Sequence, residues 1–194
     1  MKLFLLVVLC FILIGCRNDS EKPSLITEHP TRLETLGEFY RYKEINDIGT
    51  YETGPITVTI ESAETVNVNL QDTIEVPDEE RKMEMVNIIM RVELSREVQE
   101  KLTFNEENNM HLKLDINGKT LEPDSYMSTK VDFEMLEWTA TQESNPFLHQ
   151  FTFILEDYTA QEIKKATLLI DAPLDSEGNE AGEDLEIEID FSKD

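Results

Sequence analysis

Cysteine is nearly missing from this chain: of 194 residues only Cys10 and Cys16 carry a thiol, and both lie near the N-terminus. That excludes a disulfide-stapled scaffold, and it leaves no C-x-x-C spacing for a redox or zinc site. Histidine is scarce as well, with His29, His111 and His149 far apart and no H-E-x-x-H spacing. No G-x-S-x-G elbow, Walker loop or glycine-rich dinucleotide turn occurs among the seven glycines. These absences leave no catalytic set, no cofactor cradle and no resident metal site, so the expectation is a protein that is not an enzyme. Basic residues are the remaining deficit, 17 Lys and Arg against 41 Asp and Glu. A chain so acidic repels phosphate backbones and anionic lipid at moderate ionic strength, which argues against nucleic acid as a partner and for basic proteins or cations.

Long apolar runs are lacking too. The longest, Leu3 to Ile14, follows Lys2 and spans about a dozen residues, short of the roughly 20 that a transmembrane helix needs. A positive residue, a short apolar stretch and a small residue before the cut describe a secretory signal peptide, residues 1–15. Its end, Leu13-Ile14-Gly15-Cys16, resembles the lipobox of bacterial lipoproteins. The resemblance implies cleavage between Gly15 and Cys16 and a diacylglycerol thioether on the Cys16 sulfur. It places the mature protein on the extracytoplasmic face of a cell membrane, held there through Cys16, in a bacterium of Gram-positive type. Removing residues 1–15 takes away Lys2 and no acid, so 16 cations face 41 acids and the mature charge is −25. The remaining domain holds no thiol that could form a disulfide, and its stability must come from packing.

Residues 16–49 are expected to be the lipidated Cys16 and a tether. Arg17 to Arg32 contains Pro23, Pro30 and scattered charge with no apolar period. Leu33 to Ile48 reads two ways, since Leu33, Leu36, Phe39 and Tyr40 have helical spacing while "FYRY" has strand composition. From Thr50 the period becomes two. Ile56, Val58 and Ile60, then Val66, Val68 and Leu70, alternate with Thr and Asn, as half-buried strands do. Val86, Ile88, Met90, Val92 and Leu94 share one face, with Ile89 on the other, a pattern suited to a central strand. Met110, Leu112, Leu114 and Ile116 follow, and Asn117-Gly118 can supply a type I′ turn back through Lys119 to Leu121.

Further strands are expected around 131–135, 147–155 and 166–172, and a last one at "LEIEIDF" with Leu185, Ile187, Ile189 and Phe191 inward. Thr159-Ala160-Gln161-Glu162 fits a capping box for one short helix with Lys164 and Lys165 at its end. The fold class is therefore all-β: an immunoglobulin-like antiparallel β-sandwich of about seven to nine strands over residues 50–194.

The run from Val86 to Ser95, then Leu102-Thr103-Phe104-Asn105, Leu112, Asp115-Ile116-Asn117-Gly118-Lys119 and Glu122-Pro123 resembles small immunoglobulin-like lipoprotein domains of Gram-positive bacteria. These are likened to telokin-like immunoprotective antigens. Phe151-Thr152-Phe153 resembles that pattern's later strand. The resemblance implies a noncatalytic surface role and transfers no active site.

One loop invites a metal. In "DSEGNEAGED", Asp175, Glu177, Asn179, Glu183 and Glu186 partly mimic the oxygen spacing of an EF-hand, which would suit weak, millimolar Ca²⁺ binding. Glu180 and Gly182 stand where the turn glycine and an apolar residue belong, so a solvated hairpin is the favoured reading. "PDEERK" (77–82) and "NEENN" (105–109) read as solvated turns, and Trp138 as a packed aromatic or an exposed anchor. The functional expectation is a lipid-anchored, noncatalytic binding module with a protein partner or basic ligand; the alternative is a weak cation-binding surface protein.

Overall fold

The computed structural model describes residues 22–26, 37–71, 81–94, 102–125, 127–128 and 148–193. The strand expected at 131–135 and Trp138 lie outside these residues. Two antiparallel sheets face each other. One has the order β1 (Ser24–Leu25), β2 (Gly37–Thr53), β3 (Ile56–Leu70), β4 (Lys82–Leu94), β7 (Leu148–Ile154). The other runs β6 (Thr120–Leu121), β5 (Met110–Leu114), β8 (Lys165–Ile170), β9 (Leu185–Asp190). The protein is thus an all-β sandwich.

The alternating side chains meet between the sheets. Val86, Ile88, Met90 and Val92 of the central β4 share one buried cluster with Leu112, Leu114, Leu168, Ile170, Ile187 and Ile189, and Phe151, Phe153 and Phe191 are among its largest members. Each fully buried side chain of this size is worth about 1.5–3 kcal/mol of transfer free energy.

Three expectations are corrected. First, the boundary at residue 50 falls inside β2, which pairs with β3 from Gly37↔Leu70 to Thr53↔Ile56. Two register shifts, between Arg41 and Lys43 and between Asn46 and Gly49, break the alternation that would have exposed the strand to a period-two reading. Asp47 takes a positive φ of 54° there, a conformation that Asp tolerates better than most residues. Such bulges also twist an open edge away from unwanted pairing. Of the residues expected in the tether, Ser24–Leu25 and Gly37 onward belong to the sheet.

Second, "ITVTI" and "VNVNL" are one strand. A bulge between Ile60 and Ser62 reverses which side of the sheet the following residues face. Ile56, Val58, Ile60 and Ala63 enter the main core, whereas Val66 and Val68 join Phe39 and Met85 in a separate cluster, with Ile26, Leu70, Met83 and Met127 packed on it. Third, Asn117 does not take the positive φ of a type I′ turn; only Gly118 does, at 71°. The Asn117 side chain instead accepts the Lys119 N–H at 2.7 Å, and Gly118 N–H donates to Leu114 O at 2.8 Å.

The capping-box helix is a single 3-10 turn, Ala160–Glu162, in which the Glu162 carboxylate accepts both the Thr159 N–H and its hydroxyl at 2.8 Å. Lys165 already begins β8. "NEENN" is a short helix, α1 (Glu106–Asn109), rather than a solvated turn. The reason is Asn109, 6% exposed, whose amide donates to Asp171 O and Ala172 O at 3.3 and 3.2 Å.

Candidate functional site

The acidic loop between β8 and β9 is a tight hairpin. Leu174 bridges both Thr103 and Glu180, and Ala181 N–H donates to Pro173 O at 2.7 Å. Asp175 organises the tip: its Oδ1 accepts the backbone N–H of Glu177 at 2.8 Å and of Asn179 at 2.9 Å. The Asn179 side-chain amide reaches both Asp175 oxygens, at 3.4 and 3.2 Å. These donors, the Asn179 backbone N–H first, hold the Asp175 carboxyl below its ordinary pKa. The loop is seated on the β2–β3 turn. There Gly54 has a φ of 56°, and a Cβ added to it would stand 1.9 Å from Ala181 O; one on Gly182 would stand 2.3 Å from Gly54 N. Glycine at both positions lets the two backbones touch.

The five candidate cation ligands are not brought together. Asp175 is turned onto its own loop, Glu177, Asn179 and Glu183 are exposed, and Glu186 lies on β9 opposite Leu169. Asp184, beside them, accepts the Ala172 N–H at 2.8 Å. Among the described residues no group of three or more His, Cys, Asp or Glu is arranged to hold a metal ion. The consequence is measurable. A millimolar Ca²⁺ site, at ten times its dissociation constant, would stabilise the fold by about 1.4 kcal/mol, a rise of roughly 3–5 °C for a domain of this size. We expect Ca²⁺ and Mg²⁺ at equal ionic strength to raise the melting temperature equally, through screening alone. A shift of several degrees with Ca²⁺ only, lost in Asp175→Asn with Glu177→Gln, would contradict this geometry.

The histidines separate in the same way. His149 lies in β7 with its ring stacked on Phe151, centroids 6.2 Å apart, and His29 lies outside the described residues. His111, on β5, meets Glu122 through Nδ1 at 2.8 Å and Asp171 through Nε2 at 3.5 Å. The carboxylates sit at opposite ring nitrogens, which ties β5 to the segments after β6 and β8 rather than converging on one point. A groove beside this pair is lined by His111, Leu121, Glu122, Asp124, Ile154 and Glu156. At its rim Lys119 pairs with Glu156 and Asp157 at 2.8 and 3.3 Å, and the Glu156 carboxylate first of all raises its pKa. Lys165 is likewise raised by Asp190 and Glu188, while the Ser192 hydroxyl, ahead of Lys165, lowers Asp190 to about 2. These ion pairs join charges across elements: Lys119 to the Glu156 and Asp157 carboxylates, and Lys165 to those of Glu188 and Asp190.

A constellation that the sequence reading missed lies on the outer face of the five-stranded sheet. Glu44, Glu64, Asn87 and Thr152 form one cross-strand row through β2, β3, β4 and β7. Arg41 Nε donates to Glu64 at 2.7 Å and its guanidinium meets Glu44 at 3.2 Å. Asn87 Nδ2 donates to the other Glu64 oxygen at 2.9 Å, and the Thr152 hydroxyl donates to Asn87 Oδ1 at 2.8 Å. Glu64, Asn87 and Thr152 are 5%, 4% and 0% exposed. The signal was present as polar residues inside "SAETVNV" and "MVNII", where a central strand is covered on both faces.

Gly15 and Cys16 lie outside the described residues. No helix among the described residues is long and apolar enough to cross a membrane. No family model, curated protein or solved structure matches the chain, so class rests on architecture: an acidic all-β sandwich.

Proposed function

We propose that this protein is a bacterial lipoprotein, anchored by lipid on Cys16 to the extracytoplasmic face of the cell membrane, whose sandwich is a noncatalytic binding module. The observation that carries the reading is Leu13-Ile14-Gly15-Cys16 closing a signal-length apolar run. Two acyl chains give the stable attachment that one does not. The mature charge of −25 selects a basic protein or ligand and disfavours nucleic acid. The immunoglobulin-like, telokin-like character belongs to the same reading, and two packed antiparallel sheets are what support it. It is tested by the mass of the N-terminal peptide of the membrane-extracted protein. We expect it to begin at Cys16 and to keep its lipid through neutral hydroxylamine, which cleaves thioesters and spares thioethers. An unmodified Cys16, or a mature N-terminus elsewhere, refutes the reading.

A further inference from the structure

Among the described residues, the two sheets leave one regular edge open. The edge strands β1 and β6 are only two residues long, and β2, the neighbour of β1, carries two register shifts along its length. The outer side of β7 is closed at Thr152, whose N–H donates to Ser128 Oγ at 2.9 Å and whose carbonyl accepts the Asp124 N–H at 2.7 Å. By contrast β9 ends the four-stranded sheet without a bulge, paired to β8 from Lys165↔Asp190 to Ile170↔Leu185.

The direction of its backbone groups follows from β8. Asn109 O accepts the Asp171 N–H at 2.9 Å and Lys165 O accepts the Asp115 N–H at 3.3 Å, both on the side of β5. In an antiparallel ladder the N–H and C=O of one residue point to the same side, and successive residues alternate. Ala166, Leu168 and Ile170 therefore face β9, where they oppose Ile189, Ile187 and Leu185. Glu186 and Glu188 turn their N–H and C=O to the open edge, and among the described residues no backbone hydrogen bond from another element meets them there. Both side chains are exposed on the outer face. Glu188 shares Lys165 with Asp190, each at 3.3 Å, while Glu186 stands beside Leu169. Such unpaired backbone groups are a template for one more strand.

We propose that the open edge of β9 takes an extended segment of a basic protein partner as an added antiparallel strand, with Lys or Arg opposite Glu186 and Glu188 and a small apolar residue opposite Ile187. The proposal deepens, and rests on, the basic partner put forward above. A second copy of this chain does not fit the same edge. Antiparallel pairing of two β9 strands about Ile187 sets Glu186 against Glu188 twice, and pairing about either glutamate sets it against itself; like charges directly opposite each other are destabilising. A strand of alternating basic and apolar residues meets the same two carboxylates with opposite charge. Its backbone supplies the partners that Glu186 and Glu188 lack.

The test uses the membrane-extracted protein in non-ionic detergent and two dye-labelled octapeptides of alternating lysine and valine. One peptide is N-methylated on its valines and the other on its lysines, so charge and composition are the same. In the antiparallel register the lysine N–H groups are the ones that point at β9, and only the second peptide lacks them. We expect fluorescence anisotropy to show the valine-methylated peptide binding more than about tenfold tighter, and Glu186→Gln with Glu188→Gln to abolish most of that preference. Equal binding of the two peptides, or tighter binding of the lysine-methylated one, overturns the edge and leaves the basic partner standing. A preference that survives the double substitution puts the strand elsewhere and also overturns it. Protein that light scattering finds dimeric before peptide is added, and monomeric in Glu188→Pro, gives the edge to a second copy instead. Binding of neither peptide overturns the basic partner and the edge with it.

Discussion

We expect replacement of Cys16 with serine to release the protein from the membrane fraction. In Cys16→Ser the side chain at the proposed processing site is a hydroxyl, which lacks the polarisable thiolate needed to form the thioether. No diacylglycerol is attached, and the product is either unprocessed chain, fifteen residues longer, or secreted protein. Each buried methylene of an acyl chain is worth about 0.8 kcal/mol, and even one myristoyl chain gives only an association constant of about 10⁴ M⁻¹. Losing both chains leaves the 12 apolar residues from Leu3 to Ile14 on any unprocessed form, about 18 Å of helix against a hydrocarbon core of about 30 Å. We expect carbonate washing to extract nearly all of the variant and little of the wild type, with metabolic acyl labelling reduced to background. Equal retention and equal labelling in the two would sink the lipoprotein reading.

What could be read in the sequence follows from where period two survives. In β4 the alternation of Val86, Ile88, Met90 and Val92 is unbroken, and all four reach the core. The same holds for Leu112 and Leu114, and for Ile187 and Ile189. Where a strand is bulged, composition alone misleads. The bulge in β3 leaves no trace in hydropathy, yet it turns Val66 and Val68 to the face opposite that of Val58 and Ile60.

The two register shifts of β2 hid most of a 17-residue strand, all but its last four residues, inside what read as a tether. The candidate site divides on the same ground. The loop 173–184 was visible as a charged, glycine-containing interruption. That Asp175 spends its oxygens on its own turn follows from backbone geometry that spacing does not encode. The row Glu44, Glu64, Asn87 and Thr152 includes a hydrogen bond between positions 65 residues apart, so only the folded register assembles it.

That row sets the second large effect. In an antiparallel pair, like charges directly opposite each other are destabilising, yet Glu44 stands opposite Glu64. Arg41 resolves the conflict by meeting both carboxylates. The Glu44 side chain is 35% exposed and can be solvated, but that of Glu64 is only 7% exposed. Arg41→Met keeps much of the side-chain volume and removes the charge, leaving the Glu64 carboxylate buried beside Glu44 with the Asn87 amide as its remaining donor in the row. Breaking a buried pair by removing one partner costs about 3–5 kcal/mol, and each kcal/mol is worth roughly 2–4 °C for a domain near this size. We therefore expect Arg41→Met to lower the melting temperature by roughly 6–20 °C, read alongside the urea midpoint. Because the loss comes from the stranded charge, adding Glu64→Gln should recover more than half of it, as coupled neighbours do in a double-mutant cycle. A fall of under about 2 °C in the single variant, or losses that simply add in the double, would show that the row contributes no coupled stability and that packing alone holds β2, β3, β4 and β7 in register.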